Sequence, residues 1–157
     1  MKTITFIREM KKSDLTAVKH IVDNNQMFPS EYLDEMTSGY FNKKSEELWF
    51  VVQADDQLLA VAFCAPERMT AGTWNLLLIA VLKTHQGQGI GAQLMAFVEA
   101  KLRSLTARVL LVETSGMPEY QLTRAFYPQC GYQQVAVIPE FYDIGDDKVV
   151  FWKSLTK

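Results

Sequence analysis

Hydrophobic and polar positions in the first part of the chain predict one strand, two helices and a hairpin. Residues 3–8 alternate as a strand does, and apolar side chains recur at helical spacing over residues 13–22. Ser13 is the expected N-cap of this helix. Residues 29–41 predict a second helix that starts at a proline. The polar Asp55-Asp56-Gln57 then separates two apolar runs, residues 48–54 and 58–65, which is typical of a hairpin.

The middle of the chain has the pattern strand, helix, strand. Residues 73–81 form a strand that becomes apolar on both faces, as a central buried strand does. An amphipathic helix follows over residues 90–105, and residues 109–112 predict a short buried strand. Two strands joined by one helix are expected to lie parallel, with a right-handed crossover.

The last part of the chain predicts a short helix and two antiparallel strands. The helix covers residues 120–130 and ends at Gly131. The strands are residues 132–138 and 148–155, and residues 139–147 are expected to form an acidic loop. The predicted fold is therefore α/β, with a mixed, mostly antiparallel sheet, one central parallel β-α-β crossover and flanking helices. We expect a single domain over residues 1–157, because no linker or repeat divides the chain.

Composition narrows the class of protein. Of the 157 residues, 48% are hydrophobic and 22% charged, which excludes disorder for most of the chain. A net charge of −2 argues against a nucleic-acid-binding role. Two cysteines and two histidines, widely spaced, predict neither a disulfide framework nor a metal site. Because no apolar run approaches the roughly 20 residues of a membrane span and no signal-peptide core is present, we expect a soluble, cytoplasmic protein without membrane partners.

A glycine-rich segment between the central strand and the following helix is the clearest chemical signal. It reads Gln86-Gly87-Gln88-Gly89-Ile90-Gly91. Glycines let backbone N–H groups approach an anion closely, and a helix N-terminus adds unpaired N–H groups and a positive dipole end. The segment therefore predicts a phosphate or pyrophosphate site.

Two kinds of phosphate ligand fit this segment. The spacing of Gly87, Gly89 and Ala92 satisfies the dinucleotide fingerprint, with Glu113 placed to bind a ribose. Against it, residues 82–86 separate the strand from the glycines, and too few residues follow for a doubly wound sheet. A Walker loop is absent from the sequence. The alternative pattern is Gln-x-x-Gly-x-Gly, formed by Gln86, Gly89 and Gly91.

This second pattern lies within a longer resemblance. The string Leu-Ile-Ala-Val-Leu-Lys-Thr-His-Gln-Gly-Gln-Gly-Ile-Gly-Ala-Gln-Leu-Met resembles motif A of the GNAT superfamily of N-acetyltransferases. Further on, Arg-Ala-Phe-Tyr-Pro-Gln-Cys-Gly-Tyr resembles motif B of that superfamily. The predicted element order also matches, so the resemblance covers nearly the whole chain. It implies an acyl-CoA N-acyltransferase fold and transfer of an acetyl group from acetyl-CoA to a primary amine.

The resemblance also implies which residues bind the co-substrate. The backbone of the glycine segment would hold the pyrophosphate, and the end of the preceding strand would face the pantetheine arm. The cofactor-binding residues implied are Ile79, Ala80, Val81, Gln86, Gly87, Gln88, Gly89, Ile90, Gly91 and Ala92.

Catalytic roles follow less completely from the resemblance. Tyr127 matches the motif B tyrosine, whose hydroxyl in the family often protonates the departing thiolate. Histone-type members carry a glutamate where this chain has Asn75, which cannot take a proton at neutral pH. Glu113 is the replacement candidate for the proton acceptor, and Glu67 is the weaker one. No metal is implied.

The acceptor remains open between a small molecule and a peptide amine. In the family it is walled by segments that correspond here to residues 24–32 and 140–147. The acidic side chains of the second segment fit a cationic acceptor, or else a solvated loop. A homodimer is also open, as many relatives form one. A nicotinamide-dependent oxidoreductase and a non-catalytic acyl-CoA sensor are the two competing functions.

Overall fold

The computed structural model describes residues 5–156 of the chain. Within that range, seven strands form one sheet: β1 Thr5–Glu9, β2 Leu48–Ala54, β3 Gln57–Pro66, β4 Thr73–Val81, β5 Val109–Ser115, β6 Gln133–Asp143 and β7 Asp146–Ser154. Their order is β1-β2-β3-β4-β5-β7-β6. The pair β4–β5 is parallel, whereas β1–β2, β2–β3, β5–β7 and β6–β7 are antiparallel. This confirms the predicted mixed sheet, and it is not the doubly wound sheet that the dinucleotide alternative requires.

Five α-helices lie between the strands in residues 5–156: α1 Leu15–Asn24, α2 Leu33–Met36, α3 Ser38–Phe41, α4 Ile90–Ser104 and α5 Gln121–Gln129. The prediction of one helix over residues 29–41 was wrong. Buried Thr37 donates from Oγ1 to the Leu33 carbonyl at 2.7 Å, a back-bond that bends helices, and the helix is interrupted at this residue. None of the helices in this range is long and apolar enough to cross a membrane.

The start of α1 also differs from the prediction. Ser13 is not an N-cap, because a 3-10 turn over Lys12–Asp14 precedes the helix. The Asp14 carboxylate holds this turn by accepting a 2.7 Å hydrogen bond from the Lys11 N–H. The Arg8 guanidinium reaches the same carboxylate with two nitrogens, at 2.7 and 2.9 Å. Of the strand predicted over residues 3–8, residues 3 and 4 lie outside the described residues.

The chain divides into two compact units. The first contains the residues up to Ala65 together with Leu78–Val98, and the second contains Pro66–Leu77 and Glu99–Lys157. Fully buried apolar side chains form the core of the first unit: Val18, Ile21, Val22, Leu33, Trp49, Val51, Leu94 and Val98. In the second unit the buried side chains include Leu76, Leu102, Leu110, Val112, Tyr127 and Phe151.

The last two strands are longer than predicted. The expected loop over residues 139–147 is wrong, since β6 continues to Asp143 and β7 begins at Asp146. The turn between them contains Gly145 at φ 78°, a conformation that favours glycine. All residues of β6 are exposed, so no change in burial marks where this strand ends. Strand β5 likewise runs on to Ser115, which places Glu113 inside the strand.

Candidate active site

In the first unit, the glycine segment forms an exposed loop that leads into α4. A 3-10 turn over Lys83–His85 ends at Gln86, which is extended. Gly87 and Gly89 follow with φ of 78° and 81°, in the left-handed region that side chains disfavour. A Cβ built on either glycine would meet no atom of the chain within 4 Å. These glycines are therefore required by the backbone conformation and leave open space beside the backbone.

The following helix supplies the electrostatics of an anion site. Residues 86–89 are exposed, whereas Ile90 packs into the core and fixes the first turn of α4. The Gln93 N–H donates to the Gly89 carbonyl at 3.1 Å, so helical bonding begins there. The N–H groups of the turn before it have no intrahelical acceptor, and the helix dipole is positive at this end. Backbone and dipole together suit a pyrophosphate.

Two asparagines at the C-terminal end of α1, Asn24 and Asn25, hold this loop in place. Asn25 donates from Nδ2 to the Val81 carbonyl at 3.1 Å, and the Gln86 Nε2 donates to the same carbonyl at 3.0 Å. Gln86 Nε2 also lies 3.1 Å from Asn25 Oδ1. The Oδ1 of Asn24 accepts the Lys83 N–H at 2.9 Å. Gln86 therefore contributes a structural side chain, and both lone pairs of the Val81 carbonyl are already used.

The residues at the end of β4 that are predicted to face the pantetheine arm differ in exposure. Ala80 is buried, whereas Ile79 and Val81 are half-buried on the opposite face of β4. This alternation is that of a strand with one face in the core. The strand end thus presents two apolar side chains and its backbone beside the glycine loop.

In the second unit, Tyr127 lies on α5 within an aromatic cluster. Its ring centroid is 5.3 Å from those of Phe126 and Phe151 and 6.1 Å from that of Tyr132. Only 3% of the residue is exposed, and burial raises the pKa of the Tyr127 phenol. The phenol is consequently protonated at neutral pH and can donate a proton or a hydrogen bond.

Neighbouring Tyr132 has a different role. Its hydroxyl donates to Glu99 Oε2 at 2.7 Å, and Lys153 Nζ lies 2.9 Å from Glu99 Oε1. Glu99 is 5% exposed, so this network pairs a buried carboxylate. Tyr132 is therefore a structural residue of the second unit.

Glu113, the predicted proton acceptor, has a cationic partner that the sequence did not reveal. Lys148 Nζ on β7 lies 3.0 Å from Glu113 Oε1 and 3.7 Å from the ring centroid of Phe141. Burial, and then the charges of Glu113 and Asp146, raise the pKa of the Tyr142 phenol. Glu113 thus belongs to a cluster of lysine and aromatic residues on β5, β6 and β7.

The weaker candidate, Glu67, is joined to Asn75. Asn75 Nδ2 donates to Glu67 Oε1 at 3.0 Å, and the Asn75 side chain is buried whereas Glu67 is exposed. The chain therefore places the Glu67 carboxylate beside Asn75, the position at which the resemblance implies a glutamate in histone-type members.

The acidic residues of segment 140–147, which fit either a cationic acceptor or a solvated loop, have structural partners within the β6–β7 hairpin or on the adjacent strand β5. Glu140 Oε2 accepts the Gly145 N–H at 2.9 Å, and Asp147 Oδ1 accepts the Glu140 N–H at 2.9 Å. Asp143 accepts the Ile144 N–H, and Asp146 accepts from the Ser115 hydroxyl. Their oxygens therefore stabilise the hairpin and its contact with β5, which does not require a cationic acceptor.

Exposed aromatic and apolar side chains occupy both segments predicted to wall the acceptor. Met27 and Tyr32 are 39% and 57% exposed in the first unit, and Phe141 and Tyr142 are 52% and 45% exposed in the second. Each of these segments therefore presents apolar surface to solvent.

Comparison with known proteins decides the family. Residues 45–134 match the family model of the acetyltransferase (GNAT) domain. The chain belongs to the GNAT acetyltransferase family. The matched region contains the glycine loop, Tyr127 and Glu113.

Relatives of this GNAT chain extend over nearly its full length. An uncharacterized N-acetyltransferase of Methanocaldococcus jannaschii is 25% identical over 94% of this chain and 90% of its own length. The crystal structure of a GNAT-family acetyltransferase from Desulfovibrio desulfuricans is 29% identical, with a TM-score of 0.89, and the match covers 97% and 99% of the two chains. An acetyltransferase structure from Salmonella typhimurium that holds acetyl-CoA is 15% identical, with a TM-score of 0.76, covering 96% and 94%.

Proposed function

We propose that this GNAT protein transfers an acetyl group from acetyl-CoA to a primary amine by direct attack. The observation that carries the proposal is the loop of Gly87 and Gly89, whose positive φ angles and open Cβ positions precede the N-terminus of α4. A structure of the same fold holds acetyl-CoA. Bound there, acetyl-CoA supplies the thioester carbonyl that the amine attacks.

The backbone of residues 86–92 binds the pyrophosphate in this proposal. Its N–H groups and the helix dipole provide complementary charge without any basic side chain, which suits a protein of net charge −2. Asn24, Asn25 and Gln86 hold the loop in its binding conformation, which lowers the entropy lost on binding. The residues 79–81 line the pantetheine arm.

Tyr127 is the proposed proton donor to the leaving sulfur. As the new N–C bond forms and the C–S bond breaks, the thiolate needs a proton or a hydrogen bond. The Tyr127 phenol is protonated at neutral pH, and the surrounding aromatic rings fix its ring. No covalent enzyme intermediate is needed, since direct attack depends on positioning and on a neutral amine.

Glu113 is the proposed acceptor of the amine proton, through water. A lysine-type amine is neutral in only about one molecule in 2,500 at pH 7, and an α-amino group in roughly one in seven. A nearby carboxylate therefore assists attack. Lys148, 3.0 Å from the Glu113 carboxylate, fixes one of its oxygens and leaves the other for water.

The test is amine-dependent release of CoA thiol. Acetyl-CoA is supplied with one representative each of a peptide N-terminus, a lysine peptide, a polyamine and an aminoglycoside, and products are checked by mass for one added acetyl group. We expect at least one class to accelerate thiol release. Tight acetyl-CoA binding with no amine-dependent release in any class would favour the non-catalytic sensor.

A further inference from the structure

Asn75 carries a buried hydrogen-bond acceptor for which the described residues, 5–156, provide no donor. The residue is 3% exposed, and its Oδ1 is fully enclosed without a hydrogen-bond partner. A buried unpaired carbonyl destabilises a folded protein, so such groups are rare and each needs an explanation. A bound ligand that donates a hydrogen bond is one explanation.

Glu67 fixes which way the Asn75 amide faces. The Asn75 Nδ2 lies 3.0 Å from Glu67 Oε1. A carboxylate only accepts hydrogen bonds, so the amide nitrogen must face Glu67 and the amide oxygen must face away from it. Turning the amide over would place two acceptors against each other. The Oδ1 of Asn75 therefore has a defined direction.

The unpaired oxygen belongs to the same face of the sheet as Glu113. Asn75 is paired in register with Leu111 across the parallel ladder, and Glu113 is two residues beyond Leu111. Alternation along strands puts these residues on one face. Leu77, the next residue of β4 on that face, is 51% exposed, so this face of the strand changes from buried to exposed within two residues of Asn75.

We propose that Asn75 Oδ1 accepts a hydrogen bond from the acceptor amine, and that Glu67 is a positioning residue that holds the Asn75 amide in this orientation. This inference rests on the proposed function. Asn75 Oδ1 and the Glu67 carboxylate both accept hydrogen bonds, which fits a primary amine because such a group has more than one N–H to donate. The amide oxygen orients the amine, and proton removal stays with Glu113.

The chain offers a near-isosteric test in Asn75→Leu. Loss of one hydrogen bond is expected to lower kcat/KM for the amine roughly three- to tenfold, with KM for acetyl-CoA unchanged. The melting temperature should stay equal or rise, because an unpaired buried polar group is replaced by an apolar one. A purely structural asparagine would give the opposite result for stability.

Glu67→Gln is the second variant, at an exposed position where folding is not at risk. Glutamine can donate to the Asn75 amide and allow it to turn over, so we expect a smaller loss of about two- to threefold in kcat/KM for the amine. Glu119→Gln, which removes another exposed carboxylate of the second unit, is the matched control and should leave turnover unchanged.

The outcomes separate this inference from the proposed function. Unchanged kcat/KM in Asn75→Leu overturns the inference, and so does a loss of activity that merely follows a lowered melting temperature. If the wild type binds acetyl-CoA but acetylates no amine, the proposed function has failed and the inference falls with it. A selective loss for the amine, with acetyl-CoA binding and stability retained, supports both.

Discussion

Gln86 and Asn25 form a 3.1 Å hydrogen bond between Nε2 and Oδ1, and both side chains donate to the Val81 carbonyl. This arrangement fixes the end of β4 and the start of the glycine loop relative to the end of α1. The side chain of the motif A glutamine therefore makes its contacts within the protein in this chain, and the backbone of the loop is the part that we propose binds the ligand.

Loss of the Asn25 hydrogen bonds should weaken acetyl-CoA binding without removing any of the proposed contacts with the ligand. In Asn25→Leu the three hydrogen bonds of the amide are lost: those to the Ile21 and Val81 carbonyls and the one from Gln86 Nε2. The loop must then be ordered when the ligand binds. We expect the Kd for acetyl-CoA to rise about tenfold, measured by calorimetry. Asn42→Leu, at an exposed site after α3, is the control. Equal affinity of Asn25→Leu and Asn42→Leu for acetyl-CoA would show that the Asn25 hydrogen bonds do not preorganise the loop.

Alanine at the loop glycines should separate backbone strain from ligand contact. Gly87→Ala and Gly89→Ala place a Cβ in open space at positive φ, which costs about 1 kcal/mol of folding stability. Gly145→Ala is a matched control, because Gly145 also has φ 78° and nothing within 4 Å of its Cβ position.

The three variants should therefore lose similar stability in thermal unfolding. Only the variants of Gly87 and Gly89 should also lose the stabilisation by acetyl-CoA, because their methyl groups enter the proposed pyrophosphate site. An equally reduced acetyl-CoA response in Gly145→Ala would mean that the effect is general destabilisation.

Loss of the Tyr127 hydroxyl should slow turnover but leave binding intact. We expect Tyr127→Phe to reduce kcat roughly 100-fold, as for removal of a general acid, with the Kd for acetyl-CoA unchanged. Because burial raises the pKa of this phenol, its ionisation should produce no loss of wild-type kcat below about pH 10.

The control for that experiment is Tyr132→Phe. Its hydroxyl donates to Glu99, so its removal should lower the melting temperature and leave kcat near the wild-type value. If the two variants lost the same fraction of kcat, Tyr127 would be a packing residue like its neighbour.

The ion pair of Arg8 and Asp14 should make stability depend on acid pH. The hydrogen bond from Arg8 holds the pKa of the Asp14 carboxyl below its usual range. Its contribution is therefore fully present above the usual carboxyl pKa of about 4, and is lost as pH falls through the lower value of the folded state. At neutral pH, Asp14→Asn should cost about 2 kcal/mol, because the carboxylate is only 10% exposed.

The difference in melting temperature between wild type and Asp14→Asn should thus shrink as pH falls below 4. Asp34→Asn provides the comparison, since Asp34 also pairs with a cation, Lys19 at 2.9 Å, but is 61% exposed. An exposed pair stabilises little, so its removal should change stability only slightly at any pH. A constant difference for Asp14→Asn from neutral to acid pH would contradict this interpretation.

The sequence was sufficient to predict the helices and strands in which the pattern of apolar residues indicates the buried positions. The strand β4, the helix α4 and the hairpin at Asp55-Asp56 were confirmed, because each is an apolar run or an amphipathic segment with a definite end signal. The C-terminal extent of β6 was missed because the strand is exposed throughout, so no buried positions indicate where it ends. Its proline and acidic residues resembled those of a loop.

Side-chain partners could not be predicted from the sequence for a different reason. The pairing of Glu113 with Lys148 depends on the register of β5 against β7, which brings together residues far apart in the chain. The contact between Asn75 and Glu67 depends on how the chain turns from β3 into β4. Motifs identified the glycine loop and Tyr127 directly, because their chemistry is local to one segment.

The most direct test of the central claim is thermal unfolding with acetyl-CoA at 100 times its Kd, beside NADH and NADPH. Binding at that ratio stabilises the folded state by about 2.7 kcal/mol, which for a chain of this length is a rise of roughly 5–11 °C. We predict that rise with acetyl-CoA alone. A rise with a nicotinamide cofactor and none with acetyl-CoA would contradict the proposed acetyltransferase.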